Sequence, residues 1–267
     1  MSNAQILNFE QLGPSPDAAK QQAPVVLLHG LFGDLDNLKS LARELAEHYP
    51  VLLVDAPNHG DSPEFAKMDY ASMAAALAAT LDHLQLHQIH VVGHSMGGKI
   101  AMEFALTYPD RTLSVIAADI SPVAYDPRHR HILEALTSVD LDAVTNRQDA
   151  DRQLAKSIDS RGVRQFLLKN LRHTDAGYQW RLPLARLDTC YDAISGAVRD
   201  GHYEGPILFI KGGDSDYLLA QHEDEIRSRF SNIEMKIIEG TGHWLHAEKP
   251  RIFNRLALAF IQQHSRT

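Results

Sequence analysis

The sequence predicts an α/β fold, a doubly wound and mostly parallel sheet that is covered by helices. Short apolar runs rich in Val, Ile and Leu, without polar alternation, are typical of strands buried on both faces of a sheet. Between these runs lie segments whose apolar residues recur at spacings of three and four, which is typical of amphipathic helices. Strands that alternate with helices along a chain favour a sheet with helices on both of its faces.

Five strands buried on both faces are predicted from the apolar runs, over residues 25–28, 51–54, 89–92, 113–120 and 207–210. A further strand is predicted over 234–238. Three helices are predicted from their apolar stripes, of which the second begins after the N-cap residue Asp69 and the third begins at Pro250. These stripes comprise Leu35, Leu38, Leu41 and Leu45; Met73, Leu77, Leu81 and Leu84; and Phe253, Leu256 and Phe260.

The segment 125–199 interrupts the alternation, because it contains helix-like patterns and no convincing buried strand. It is too long for a plain loop in a compact domain. We therefore predict a helical cap over 125–199, inserted into a single domain whose α/β core is formed by residues 1–124 and 200–267.

Composition narrows the classes of function. The 267 residues carry 26 Lys and Arg against 34 Asp and Glu, a formal net charge of −8, which argues against nucleic-acid binding through bulk positive charge. The single cysteine, Cys190, has no partner for an internal disulfide, and the first residues lack the basic and apolar regions of a secretory signal. The apolar runs are too short to cross a bilayer. We expect a cytoplasmic protein without a membrane span.

The most informative segment runs from Gly93 to Gly97, a G-x-S-x-G motif between a predicted strand and a predicted helix. In this arrangement a sharp turn lifts the hydroxyl of the central serine, here Ser95, above the sheet. Glycines at both ends let strand and helix pass closely, and the amide of Met96 points to where a negative oxygen develops. Ser95 is the predicted nucleophile, although the motif alone also fits an ordinary turn with an incidental serine.

A serine nucleophile requires a base, and His243 is the candidate. It follows the predicted strand 234–238, and in a doubly wound sheet catalytic groups gather beyond the carboxyl ends of the strands. An alternative metal site is suggested by His83, His87, His90 and His94. Because one of these lies in a strand and another in the serine turn, they would not face one point, so neither a metal nor a cofactor is expected.

The loop after the first strand offers a second donor to the oxyanion. Residues 27–33 read L-L-H-G-L-F-G and turn into a helix. The amide of Leu31 is predicted to face that of Met96 across the oxyanion. A plain glycine turn gives the same pattern, so the motif alone does not separate the two interpretations.

Four motifs, in the order H-G-L-F-G, D-A-P-N-H-G-D-S, G-H-S-M-G-G-K and G-H-W-L-H-A-E-K-P, resemble those of α/β-hydrolase-fold esterases. The similarity is greatest to the small bacterial branch of YbfF-like esterases, covers nearly the whole chain and is weakest in the segment 125–199. It implies a serine hydrolase with a helical cap that acts on small-molecule esters, or on thioesters such as acyl-CoA. The loop 55–62 is interpreted as structural.

The resemblance implies the chain order serine, acid, histidine, and two aspartates satisfy it. Asp119 lies in A-D-I-S-P, from which the YbfF-like branch takes its acid. Asp216 follows the predicted strand 207–210, where many α/β-hydrolases place theirs. Asp119 is favoured, and Asp216 stays the alternative.

Three aromatic residues are candidates for substrate contact, since such pockets are mostly apolar. Phe32 follows the proposed oxyanion donor, Trp244 follows the proposed base, and Trp180 is a candidate lid residue within the cap. For Phe32 and Trp244, core packing is an equally good interpretation. The basic cluster 128–131 is interpreted as a solvated helix end rather than as a phosphate site.

The sequence therefore predicts an ester hydrolase that acts through an acyl-enzyme on a small-molecule ester. Carbon–carbon bond hydrolases and cofactor-free perhydrolases share the same serine turn, and sequence alone separates them poorly. A rival from another class is a small-molecule receptor that keeps these residues but changes shape around a ligand. Acyl length and oligomeric state do not follow from the residues.

Overall fold

The computed structural model describes residues 5–14 and 22–265. Its strands are β1 (Phe9–Leu12), β2 (Val25–Leu28), β3 (Val51–Val54), β4 (Ile89–His94), β5 (Thr112–Ala118), β6 (Leu171–Thr174), β7 (Gly177–Trp180), β8 (Tyr203–Gly212) and β9 (Phe230–Ile238). Seven of them form one sheet in the order β1-β3-β2-β4-β5-β8-β9. Every neighbouring pair is parallel except β1 and β3. The predicted doubly wound, mostly parallel sheet is confirmed.

Helices connect the parallel strands and cover the sheet. They are α1 (Lys39–Leu45), α2 (Tyr70–His83), α3 (Met96–Thr107), α4 (Arg130–Thr137), α5 (Arg147–Leu154), α6 (Arg161–Leu167), α7 (Leu184–Ser195), α8 (Glu223–Arg229), α9 (Leu245–Glu248) and α10 (Pro250–His264). No helix in the described part of the chain combines the length and apolar character needed to cross a bilayer.

The central strands β2, β3 and β4 are buried along their whole length. On β2, Val26 and Leu28 pack into the hydrophobic cluster that includes the buried residues of α2 and α3. Val25 and Leu27 pack into the opposite cluster, which includes the buried residues of α1 and α10. Because the side chains of a strand point alternately to two faces, a strand covered on both sides has to be apolar throughout.

Two of the predicted helix starts are confirmed. The side chain of Asp69 accepts a hydrogen bond from the amide of Ser72 over 2.7 Å and caps α2, and Pro250 is the first residue of α10. The first predicted helix is divided, because Leu35–Leu38 form a 3-10 turn before α1 begins. Asp34 accepts a hydrogen bond from the Asp36 amide over 3.2 Å and caps that tighter turn.

Two sets of strands were not predicted. β1 pairs antiparallel with β3 at the edge of the sheet. Its residues at positions 10 and 11 are polar, so it contains no apolar run that would predict a buried strand. In the segment 125–199 the structure has α4 to α7, but it also has the antiparallel hairpin of β6 and β7. Helix-like patterns alone therefore did not describe that segment, because the exposed residues Arg172 and His173 leave no apolar run in β6.

Candidate active site

The turn that carries Ser95 is sharp. β4 ends immediately before Ser95 and α3 begins immediately after it, with φ 53° and ψ −120° at the serine, a conformation that L-residues rarely adopt. A Cβ atom on Gly93 would lie 2.1 Å from the carbonyl oxygen of Gly97, and one on Gly97 would lie 2.3 Å from that of Leu28. Glycine at these two positions therefore allows β4, α3 and β2 to approach closely enough to present the serine at the ends of the strands.

His243 lies in the loop between β9 and α9 and reaches the serine. Its Nε2 is 2.9 Å from Oγ of Ser95, so the hydroxyl donates a hydrogen bond to the imidazole. Nε2 of His94 donates to the main-chain oxygen of His243 over 2.7 Å. The ring of Tyr217 stacks on the imidazole, with the two centroids 3.9 Å apart. These contacts fix both the loop and the plane of the His243 ring.

Asp119 completes the hydrogen-bonded chain. It is fully buried at the end of β5, and its Oδ2 accepts a hydrogen bond from Nδ1 of His243 over 2.7 Å. The main-chain amide of Gly212 donates to Oδ1 over 2.9 Å, and the hydroxyl of Ser215 donates to Oδ2. Three donors, one from the last residue of β8, one from the loop after β8 and one from the loop after β9, therefore orient this carboxylate towards the imidazole.

Asp216 occupies a different environment. Its side chain is 71% exposed and pairs with Arg128, whose Nη1 lies 2.8 Å from Oδ1. The structure thus brings Asp119, and not Asp216, to His243. The order of strands explains this, because β5 lies beside β4 in the sheet, whereas Asp216 lies beyond β8 and turns outward.

The amides of Leu31 and Met96 lie beside the serine, where both residues line the same cleft. In the described residues neither amide has a main-chain acceptor, whereas the amide of Phe32 donates to Nε2 of His59 over 3.1 Å. Nδ1 of His59 donates to the oxygen of Pro57 over 2.9 Å, and burial lowers the pKa of His59 to about 3. His59 is thus a neutral acceptor that binds the Phe32 amide and holds the loop next to Leu31.

A cavity of about 300 Å³ opens beside the serine and the imidazole. Its apolar wall includes Phe32, Ile132, Phe166, Leu167 and Trp244. The rings of Phe166 and Trp244 lie 6.2 Å apart between centroids. Residues of the predicted cap and of the core thus form this cavity together.

Trp180 does not line this cavity, contrary to the expectation of a lid residue. Its indole Nε1 donates a hydrogen bond to the oxygen of Leu136 over 3.0 Å, and the ring packs against the hydrophobic core. Trp180 ends β7, so the hairpin fixes it against the last turn of α4 rather than over the serine.

The basic cluster 128–131 is engaged by the protein. Besides the pair formed by Arg128, Arg130 lies 3.2 Å from Asp188 and 2.6 Å from Asp192. Nε2 of His129 lies 3.0 Å from the hydroxyl of Tyr217. The cluster is therefore neither simply solvated nor a set of unpaired cations that could meet phosphate.

The four histidines considered for a metal site do not converge. His83 and His87 are exposed. His90 forms a hydrogen bond with Ser114 over 2.7 Å, and His94 donates one to the main-chain oxygen of His243. Among the residues that the structure describes, no three His, Cys, Asp or Glu side chains are arranged to hold a metal ion.

Sequence reasoning missed three residues that support the site. Ser215 and Tyr217 both belong to the loop G-G-D-S-D-Y, in which the predictions concerned only the aspartates. His59 belongs to a loop that was interpreted as structural. The available signal was that Ser215 and Tyr217 alternate with the two aspartates in this loop. The contacts of Ser215 and Tyr217, however, depend on where the loop lies in three dimensions.

Known proteins with similar sequences and structures share this architecture. The sequence profile described as "Alpha/beta hydrolase family" matches residues 25–256. The chain is 39% identical to "Esterase YbfF" of Escherichia coli (strain K12), over 85% of this chain and 89% of that protein. It is 38% identical to "sn-1-specific diacylglycerol lipase ABHD11" of Mus musculus, over 89% and 80% of the two chains. The solved structure "Marine microorganism esterase" is 35% identical, with a TM-score of 0.91, and covers 96% of this chain and 99% of that one.

Proposed function

The chain is a hydrolase that belongs to the alpha/beta hydrolase family, and from this premise we propose that it hydrolyses carboxylic esters through an acyl-enzyme on Ser95. The observation that carries the proposal is the continuous hydrogen-bonded chain from the Ser95 hydroxyl through His243 to the buried carboxylate of Asp119. The relatives that are named as an esterase and as a diacylglycerol lipase support an ester as the substrate.

In the first half of the reaction, Oγ of Ser95 attacks the carbonyl carbon of the ester while Nε2 of His243 takes the hydroxyl proton. The tetrahedral intermediate then collapses, and the bond between the carbonyl carbon and the alcohol oxygen breaks. His243 gives its proton to that oxygen. In the second half, His243 takes a proton from a water molecule as the water oxygen attacks the acyl carbon. The bond between that carbon and Oγ of Ser95 then breaks, His243 returns the proton to Oγ, and the carboxylic acid leaves.

Asp119 acts through His243 in this mechanism. By accepting the hydrogen bond from Nδ1, it holds the tautomer in which Nε2 is free to take a proton, and it stabilises the imidazolium that forms. The amides of Leu31 and Met96 donate to the oxyanion, and the N-terminus of the twelve-residue helix α3 adds a favourable dipole.

Thioesters such as acyl-CoA form a second substrate class, which the resemblance to YbfF-like esterases supports. The same acyl-enzyme chemistry cleaves a thioester, with the thiol as leaving group. We place oxygen esters first, because Arg128 and Arg130 already pair with carboxylates and offer no unpaired guanidinium for the phosphates of CoA.

The test compares the wild type with Ser95→Ala on chromogenic esters and on acyl-CoA thioesters. We expect the wild type to release a burst of one chromophore per enzyme and to carry an acyl group on Ser95 that mass spectrometry detects. Ser95→Ala should lose at least about a thousandfold in kcat.

Ser228→Ala, at an exposed position of α8, is the matched control and should keep wild-type turnover. Full activity of Ser95→Ala would contradict the role given to this serine. Failure of the wild type to hydrolyse any ester or thioester would contradict the proposed substrates.

A further inference from the structure

We propose that the enzyme selects esters in which a short acyl group, of about two or three carbons, is joined to a larger apolar alcohol. This inference rests on the proposed acyl-enzyme function and names its substrate class. Its basis is that two cavities of very different size meet at Ser95, and that only one of them is lined by His243.

The larger cavity, of about 300 Å³, contains the imidazole of His243 in its wall. Around it the wall is largely apolar and comes from Ile132, Val163, Phe166 and Trp244. A cavity of this size and character accommodates an alkyl or aryl group of many atoms.

The smaller pocket, of about 40 Å³, is also lined by Ser95. The two proposed oxyanion donors, Leu31 and Met96, line it beside the serine. Its other lining residues include Tyr70, Ile120, Ile194 and Tyr217. Within the described chain, His243 lines the larger cavity but not this pocket.

The chemistry of the leaving group decides which part of the ester each cavity takes. The alcohol oxygen has to accept its proton from Nε2 of His243, so it lies on the side of the larger cavity. The acyl chain extends from the same carbonyl carbon in the other direction, past the oxyanion donors. Tyr217 separates the two sides, because it stacks on the imidazole at 3.9 Å and also lines the smaller pocket.

The smaller pocket suits a methyl or an ethyl group, since its volume is about 40 Å³ against about 300 Å³ for the larger cavity. Hydrogen bonds fix several of the residues that line the smaller pocket. The hydroxyl of Tyr70 donates to the oxygen of Ile194 over 2.5 Å, and Nζ of Lys99 donates to the oxygens of Val123 and Gly196 over 2.6 Å each. A longer acyl chain therefore has to displace buried, hydrogen-bonded residues.

Two series of esters test the assignment on the wild type. With 4-nitrophenol as a constant leaving group, we expect kcat/KM to be highest for the acetyl or propanoyl ester and to fall at least about tenfold by the hexanoyl ester. With acetate as a constant acyl group, kcat/KM should rise from methyl to hexyl acetate, because the alcohol occupies the larger apolar cavity.

Two matched substitutions, Ile194→Ala in the smaller pocket and Ile132→Ala in the larger cavity, test the geometry. Ile194→Ala should raise the ratio of hexanoyl to acetyl kcat/KM at least about tenfold. Ile132→Ala should leave that ratio within about threefold and change the alcohol series instead. Each ratio is internal to one enzyme preparation, so partial loss of folded protein does not alter it.

A wild type that prefers octanoyl to acetyl esters overturns the proposal, and so does a change of acyl preference in Ile132→Ala rather than in Ile194→Ala. If Ile194→Ala does not fold, Ile194→Val enlarges the smaller pocket less and should raise the ratio of hexanoyl to acetyl kcat/KM by a smaller factor. The absence of any ester hydrolysis, or full activity of Ser95→Ala, is a different result, because it removes the proposed function and not merely the acyl selectivity.

Discussion

Three turns at neighbouring strand ends carry or adjoin the proposed catalytic groups, and each has a non-glycine residue in the left-handed region. Phe32, Ser95 and Asp119 have φ of 64°, 53° and 48°, and they follow β2, β4 and β5 closely. Such conformations cost about 1–3 kcal/mol each and persist where the surroundings fix them. Here the amide of Ser95 donates to the oxygen of Ala118 over 3.0 Å, and that of Asp119 donates to Ile210 over 2.8 Å. Hydrogen bonds between neighbouring strand ends thus hold the strained turns in position.

The choice between the two aspartates is testable at the level of one atom. Asp119→Asn keeps the volume but presents a poorer partner to Nδ1 of His243, so kcat should fall by up to about ten-thousandfold. Asp216→Asn removes only an exposed pair with Arg128 and should change kcat less than about threefold. Steady-state kinetics on one activated ester compare the two variants. A large loss in Asp216→Asn with a small one in Asp119→Asn would reverse the assignment.

At the scale of elements, α3 approaches the end of β2 so closely at Gly97 that no side chain fits there. A Cβ atom on Gly97 would lie 2.3 Å from one backbone oxygen and 2.6 Å from another, and backbone atoms cannot rotate away as a side chain can. The position of the serine turn therefore depends on the absence of a single methyl group.

Gly97→Ala should lower the free energy of unfolding by about 2 kcal/mol or more, because α3 has to move away from the sheet. It should also reduce kcat, since the serine turn moves with the helix. Gly162→Ala is the control, because a Cβ atom on Gly162 would lie 3.8 Å from its nearest neighbour and alanine favours the helix. Urea denaturation compares both variants with the wild type. Equal stability of Gly97→Ala and Gly162→Ala would contradict the close packing.

A buried lysine joins the predicted cap to the core. Lys99 on α3 is 1% exposed, and its ammonium donates to Val123, which precedes the cap, and to Gly196, near the end of the cap. The ammonium lies 4.6 Å from the ring centroid of Tyr125. Burial lowers the pKa of Lys99 to about 7, while the carbonyl oxygens and the ring favour the charged form. Residues at both ends of the predicted cap thus bond to the same lysine side chain.

Lys99→Met should lower the free energy of unfolding by about 1–3 kcal/mol, because two partly buried carbonyl oxygens lose their donor. Lys156→Met, at an exposed position of the cap, should change it by no more than about 0.5 kcal/mol. Chemical denaturation measures both, and limited proteolysis of the segment 125–199 reports on the cap itself. If Lys99→Met is as stable and as resistant as Lys156→Met, the lysine does not fasten the cap.

Across the whole molecule, several buried histidines are held in the neutral form. Burial lowers the pKa of His59 to about 3, and it lowers those of His90, His129 and His246 to about 4. In the unfolded chain each returns to about 6.5. Between pH 6.5 and pH 4 the unfolded state therefore binds more protons than the folded state, and stability falls as the pH falls. Burial raises the pKa of Glu103, so this one carboxyl group acts in the opposite direction and favours the folded state as the pH falls.

We expect the free energy of unfolding to be at least about 2 kcal/mol lower at pH 5 than at pH 7, since each unit of pKa difference corresponds to about 1.4 kcal/mol. Urea denaturation at the two pH values measures this difference at constant ionic strength. Calorimetry in two buffers of different ionisation enthalpy counts the protons taken up on unfolding. Equal stability at pH 5 and pH 7 would show that these histidines are not held neutral.

The sequence by itself determined the six parallel strands of the sheet, the serine turn and the candidate base. Strands buried on both faces, such as Val25–Leu28 and Val51–Val54, have to be apolar at every position, so a local pattern is sufficient to predict them. The turn at Ser95 is likewise encoded locally, by two glycines whose side chains would collide with backbone. His243 followed from a general rule about strand ends, which needs only the order of the elements.

Only the tertiary structure decided which side chains meet. Asp119 and Asp216 both end strands in the correct chain order, and the position of β5 beside β4 brings the first to His243 while the second faces Arg128. The edge strand β1 and the location of Trp180 were also beyond local patterns, because each depends on a partner distant in sequence. The relative sizes of the two cavities have the same origin. A pattern reports the surroundings of one element, whereas contacts between loops depend on how all the strands are ordered and turned.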